Sequence, residues 1–294
     1  IEAALAPFAA ALVFDGKGPR FFQDRAELEA GPTPVEALFI DAPADHFLVD
    51  LRYETLSRTG AAIALLTLQT MAPSGGAGHR TSARGGGPLT TFVMPCAQPT
   101  LWQWLWANVP LGLKPAPDEL ALVMPWQAAT RTSNPNDGGV ITTPDDGALA
   151  AQAFFGMPRR IRLNFETNTE QRACDLTGEI DDVIVRNYVT RPWGVNYPSS
   201  AWRHPLSPYY KQKKDSPESL PVHLKSSRIG YRDWLGLVNA TPDTLKRPAD
   251  IVHEFRTRRA NLIRGDGERI NLFACGYALD NMKPLDFGEA LLPA

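Results

Sequence analysis

The sequence predicts an α+β fold, one large mixed globular domain over residues 1–294 with short strands, hairpins and irregular loops. Three observations predict it. Helical and strand-like segments alternate without an internal repeat. The 26 prolines are spread along the chain, which favours short elements and irregular connections. A composition of 44% hydrophobic and 21% charged residues is that of an ordinary globular protein able to bury a substantial core.

Taken in order, Ile1–Val13 is rich in alanine and leucine and reads as helical, and Phe21 and Phe22 within Pro19–Gln23 read as core anchors. Val35–Ile40 is a short apolar element and Ala44–Asp50 a loop. Thr59–Thr70 predicts a helix whose alanines and glycine permit close packing, closed off by Pro73. Leu89–Val93 is β-branched and aromatic, a strand. Leu101–Val109 carries Trp102, Trp104 and Trp106; a buried amphipathic helix is the expected role and base stacking the alternative. Phe155–Leu163, with Arg159, Arg160 and Arg162, resumes ordered structure after a turn-rich stretch, and Val183–Val189 alternates as a strand does. Trp202–Tyr210, then Lys211, Lys213 and Lys214, then Leu220–His223 spell a hairpin tipped with lysines, serving either solubility or a ligand. Tyr231–Val238 starts an apolar helix, and Pro248–Ile263 is a basic helix with Ile251, Val252, Phe255 and Leu262 inward. Arg269–Tyr277 is a strand leading into a turn at Ala278–Lys283.

The feature that organises the chain is Met71–Val93, with six glycines and only Arg80 and Arg84 as charges, beside His79. No acidic residue occurs between Glu54 and Asp118. Glycine lets a ligand approach the main chain, so two glycine clusters around two arginines suit an anion, phosphate above all; an ordinary surface loop is the other reading. Formal net charge is only −2, so any polyanion needs a local patch.

Enzyme signatures fail at this loop. A phosphate-binding P-loop needs Lys-Ser/Thr after its last glycine, where Gly87 is followed by Pro88 and Leu89. The dinucleotide fingerprint lacks its third glycine after Gly76-Ala77-Gly78. Cys96, Cys174 and Cys275 stand alone, and His204 and His223 are lone histidines, so neither a metal nor a cofactor is expected. No stretch is long and apolar enough for a membrane span, and the cysteine usage fits a cytoplasmic protein.

The blocks ALLTLQTMAPSGGAGHRTSARGGGPLTTFV, LWQWLWANVP, FGMPRRIRL, WGVNYPSSAWRHPLSPYY, LPVH, IGYRDWLGLV and CGYALDNMK resemble the CasA family, the large subunits of type I-E CRISPR surveillance complexes, called Cascade. The resemblance follows the family's order over nearly the whole chain. It implies a non-enzymatic subunit that reads the protospacer-adjacent motif in double-stranded target DNA, helps to part the strands for R-loop formation and helps to recruit the helicase-nuclease. Its implied partners are that DNA, the other Cascade subunits and the crRNA, with no membrane. Phosphate or nucleotide binding by an enzyme is the alternative. The family's C-terminal four-helix bundle has no counterpart here, so a fragment of a longer chain is expected.

Residue by residue, the resemblance places the family's glycine loop at Ser74, Gly75, Gly76, Ala77, Gly78 and His79, approaching the motif from the minor groove. Its flexible loop near the motif and the crRNA end falls on His46, Phe47, Leu48, Val49 and Asp50; its lysine finger on Lys213 and Lys214. Its wedge falls on Leu279–Lys283, where Asp280, Asn281, Met282 and Lys283 stand and Asn281 replaces a glutamine. Arg80 and Arg84 are then expected to neutralise phosphates, while Arg84–Pro88 also reads as the segment that fixes the loop in place.

Overall fold

The computed structural model describes residues 2–41, 52–76, 78–112, 116–144, 150–225, 228–240, 245–259 and 270–294. Its strands are β1 (Thr33–Pro34), β2 (Leu56–Ser57), β3 (Thr90–Met94), β4 (Arg160–Thr167), β5 (Val183–Arg191), β6 (Tyr209–Tyr210), β7 (Leu220–Pro221), β8 (Lys246–Arg247), β9 (Asn271–Asp280) and β10 (Lys283–Pro293). The helices include α1 (Glu2–Leu5), α2 (Arg58–Met71), α3 (Leu101–Ala107) and α4 (Leu120–Val123), with further helices at Tyr231–Val238 and Asp250–Glu254. This is the mixed α+β class that the sequence predicts, with its strands gathered into several small sheets. The chain forms two compact units, one of Ile1–Ala83 and Lys114–Pro198, the other of Arg84–Leu113 and Ser199–Ala294.

The first unit is built on β5, which pairs antiparallel with β1, β2 and β4. The β4–β5 ladder runs from Arg160 opposite Arg191 to Thr167 opposite Val183, with a register shift between Asn164 and Phe165. Period-two alternation buries Ile161 and Leu163 on one strand. Helix α2 packs nearby through Ala61, Ala64, Leu65 and Leu68, the spacing of one helical face. Ser57 caps it, its hydroxyl accepting from the Gly60 amide at 3.1 Å, and Arg58 at the first turn pairs with Asp181 at 2.6 Å. An aromatic cluster completes the core: Trp126 and Phe22 are fully buried, Phe21 and Phe155 meet Trp126 edge-on, and the indole N–H donates to the Ala11 carbonyl at 2.6 Å.

The second unit has two small sheets, β10-β9-β3 and β7-β6-β8. One face of the first sheet buries Val93, Leu272, Ala274, Ala278 and Leu292. On the other, Phe92 and Phe273 receive the Trp104 ring edge-on. Strand β10 has no counterpart in the pattern read from sequence. Its residues KPLDFGEALLP include helix formers, and pairing with β9 rather than intrinsic preference makes them a strand. Helix α3 forms as expected, with a capping box between Thr100 and Gln103, but its burial is the reverse of the expectation. Trp104 packs inward, whereas Leu101 (69%), Trp102 (53%) and Leu105 (56%) are exposed.

His204 sits in this unit's interior, its Nδ1 accepting from the Leu206 amide at 3.1 Å. Burial, reinforced by nearby Arg84, holds its imidazole well below the ordinary histidine value. A histidine neutral when folded contributes stability that is full above its unfolded value, about 6.5, and is lost as pH falls through that value toward the folded one. We expect the unfolding free energy from urea titration to drop between pH 7 and pH 5, by up to about 1.4 kcal/mol per pH unit from this group, and His204→Asn to remove part of that slope. An unchanged slope in the variant would contradict the assignment.

Candidate nucleic-acid interface

The residues singled out from the sequence fall in both units, and each part is described by itself. His46, Phe47, Leu48, Val49, Asp50 and Ala77 lie outside the described residues.

In the first unit, α2 stops at Met71 and the chain turns out through Pro73. The loop then closes on itself: the Gly75 amide donates to the His79 carbonyl at 3.2 Å and the His79 amide to the Gly76 carbonyl at 2.7 Å. Ser74, Gly75 and Gly76 are exposed, and Gly78, His79 and Arg80 are half-buried. Trp193 forms the floor. Its amide donates to the Gly78 carbonyl at 2.8 Å, and a Cβ at Gly78, whose φ is +83°, would lie 2.6 Å from the indole ring. The Arg80 guanidinium lies 5.0 Å from the same ring and donates from Nε to Ser133 Oγ at 2.9 Å; that hydroxyl donates to the Gly194 carbonyl at 2.7 Å. Arg80 is therefore a brace for the loop as well as a positive charge beside it. His79 is kept below the ordinary histidine value by burial and by Arg159. Trp193, Ser133 and Arg159, which support the loop, were missed by sequence reasoning because each is remote in the chain.

In the second unit, Arg84 corrects an expectation. It is 5% exposed, and its Nη1 donates to Thr90 Oγ1 at 2.9 Å and Ser207 Oγ at 3.2 Å. Burial pulls its pKa down to about 10. A guanidinium enclosed in this way is structural, so Arg84 leaves the set of phosphate contacts. The adjoining glycines are likewise packed: His223 Nδ1 lies 2.8 Å from the Gly86 carbonyl, which can only accept, so Nδ1 carries the proton.

The lysine hairpin exists. Tyr209 pairs with Pro221 and Tyr210 with Leu220, and the Lys213 amide donates to Ser216 Oγ at 3.1 Å while the Ser216 amide donates to the Lys213 carbonyl at 3.0 Å. The Lys213 and Lys214 side chains are exposed. The turn at the end of β9 also exists and is tighter than the sequence conveys. Asp280 pairs with Lys283, leaving Asn281 (φ 46°) and Met282 (φ 65°) as the two turn residues. Two positive φ values in a two-residue hairpin loop define a type I′ turn, in which asparagine is favoured and methionine is strained. Asp280, Asn281, Met282 and Lys283 are all exposed at the tip.

Among the described residues no cluster of three or more His, Cys, Asp or Glu side chains could hold a metal ion, and no helix is long and apolar enough to cross a membrane.

The glycine loop of the first unit and the two hairpin tips of the second are each presented to solvent. The family model of CRISPR-associated protein Cse1 matches residues 1–294, and the chain belongs to that family. It is similar in fold to the Thermus thermophilus protein CasA (Cse1), with a TM-score of 0.65 and 20% identity over 99% of this chain and 57% of that one. It is also similar to Thermobifida fusca Cse1, with a TM-score of 0.65 and 15% identity over 100% of this chain and 57% of the other. A chain of a CRISPR RNA-guided surveillance complex matches with a TM-score of 0.63 and 18% identity, covering 100% of this chain and 58% of its own. The chain thus spans a little over half the length of the structures it matches. None of the curated proteins compared matches it.

Proposed function

We propose that this chain is the DNA-recognition part of a CRISPR RNA-guided surveillance complex of type I-E, a non-enzymatic subunit that reads a protospacer-adjacent motif in duplex DNA and helps to start strand separation. In this reading it acts with the other Cascade subunits and crRNA in the cytoplasm and helps to recruit the helicase-nuclease. The observation that carries the reading is the exposed run Ser74–Gly76, in a loop whose Gly78 rests on Trp193 with Arg80 over the same ring. The minor groove distinguishes little beyond G·C from A·T, so a loop that brings main-chain groups close to the groove floor reads a short motif permissively. Lys213 and Lys214 supply charge for phosphates, and Met282 on its turn resembles the apolar wedges that part base steps.

A gel-shift titration of the reconstituted complex with motif-bearing and motif-free duplexes tests the proposal. Tighter binding of the first is expected, and equal affinity would overturn it. A second measurement addresses the turn. Glycine adopts φ near +65° freely, so Met282→Gly relieves roughly 1 kcal/mol of strain while deleting the side chain. Permanganate reactivity of the first base pairs should fall in this variant with docking affinity kept; unchanged reactivity would remove Met282 from strand opening.

A further inference from the structure

Beneath the glycine loop, within the first unit, lies an open cavity of about 300 Å³ lined by Phe39, Gly75, His79, Arg159, Tyr188 and Thr190, among others. Arg159 is the feature that needs explaining. It is 8% exposed, its Nη2 donates to the Pro73 carbonyl at 2.5 Å, and its Nε–H has no hydrogen-bond partner among the described residues. Burial pulls its pKa down to about 10, which still leaves it a cation at neutral pH. Among the described residues the one opposing influence is the Tyr188 phenol, which burial pushes up to about 12 and so keeps neutral. A buried cation with no counter-charge among the described residues is costly to the fold and points to an anion supplied by a ligand.

The surroundings narrow the anion. A Cβ on Gly75 would lie 2.7 Å from Arg159 Nη1, so the bare glycine backbone and the guanidinium share one edge of the cavity. Apart from these polar groups the lining is apolar, including Ile40, Leu68 and Ile161. The Phe39 ring is stacked on Tyr53 with centroids 4.0 Å apart and planes 14° apart, which leaves it a supported flat surface. A lining that includes a stacked aromatic ring and a buried cation suits a base joined to a phosphate, and the volume is that of a small-ligand site.

We propose that this cavity holds one unpaired nucleotide of a single-stranded nucleic acid, its phosphate against Arg159 and Gly75 and its base against Phe39. The proposal rests on the DNA-recognition reading for its biological setting, but its test does not. The full chain is titrated with fluorescent oligothymidylate and, in a second arm, oligouridylate, which separates a DNA strand from an RNA strand as the source. Arg159→Met should weaken binding on the order of tenfold or more, as removal of a charge-assisted hydrogen bond does, with its melting temperature moved by no more than a few degrees, because loss of the bond to the Pro73 carbonyl opposes the relief of an uncompensated charge. Arg159→Lys should keep part of the affinity. Equal binding by Arg159→Met and the parent chain, or no binding of either oligonucleotide by the parent, overturns the proposal. Photocrosslinking of 4-thiothymidine oligonucleotides to the parent chain needs no variant: crosslinked peptides should contain Phe39 or Arg159, and crosslinks confined elsewhere overturn it. Loss of motif discrimination in the duplex gel shift would instead sink the recognition reading and leave the oligonucleotide result standing.

Discussion

Replacing Gly78 with alanine is expected to cost about 2–4 kcal/mol of stability, the sum of a left-handed backbone forced on an L residue and overpacking against an aromatic ring. The backbone sits at φ +83°, and the new methyl would meet three carbons of the Trp193 indole at 2.6–2.8 Å. The ring has little freedom to retreat. Its own amide is bonded to Gly78, and Arg80 stacks over it while tied to Ser133. Gly76 is the control, because its φ is also positive at +67° but nothing lies within 4 Å of its built Cβ. Urea unfolding should show Gly78→Ala as clearly the more damaging of the two, and duplex titration should show the greater loss of affinity. Equal costs would mean that the ring does not brace the loop. Any side chain at position 78, aspartate included, meets the same ring, so binding loss there must be read beside the unfolding curve.

The second large effect is expected from the double substitution Lys213→Ala/Lys214→Ala. Both side chains are exposed, and the tip is held by backbone and Ser216 bonds that do not involve them. Stability should therefore move by no more than about 0.5 kcal/mol. Duplex affinity of the complex should fall on the order of tenfold or more, and the slope of log affinity against log salt should flatten by about two, near one for each phosphate that a lysine no longer neutralises. Unchanged affinity and slope would assign the lysines to solubility alone.

Much of the fold was legible because local signals agreed with the tertiary structure. Thr59–Thr70 carries helical spacing between a capping serine and Pro73, and α2 occupies Arg58–Met71. Leu89–Val93 reads as a strand and β3 is Thr90–Met94. The lysine hairpin follows from strand-turn-strand order, whereas after β9 only the turn was legible and the strand it leads into, β10, was not. Burial was less legible. Leu101–Val109 has the composition of a buried helix, yet only the face with Trp104 meets the sheet; hydrophobicity reports a tendency to be covered and does not say what covers it. The site shows the same limit. Arg84 and Arg159 are both arginines near glycines, one bonded to the hydroxyls of Thr90 and Ser207, the other at the edge of a cavity, and only the fold tells them apart. The brace of Trp193, Arg80 and Ser133 joins residues more than fifty positions apart, a distance across which no sequence motif reaches.

The interleaved make-up of the two units has a consequence during synthesis. Among the described residues strand β3 pairs only with β9, whose first residue follows its last by about 180 positions, and the first unit is completed in between. At roughly 5–20 residues per second, Thr90–Met94 waits roughly ten to thirty-five seconds on the ribosome for its partner strand. Throughout that interval an apolar segment with open ladder groups is available to wrong neighbours. The yield of native protein should therefore depend on translation speed and chaperone supply more than the final stability of the sheet suggests.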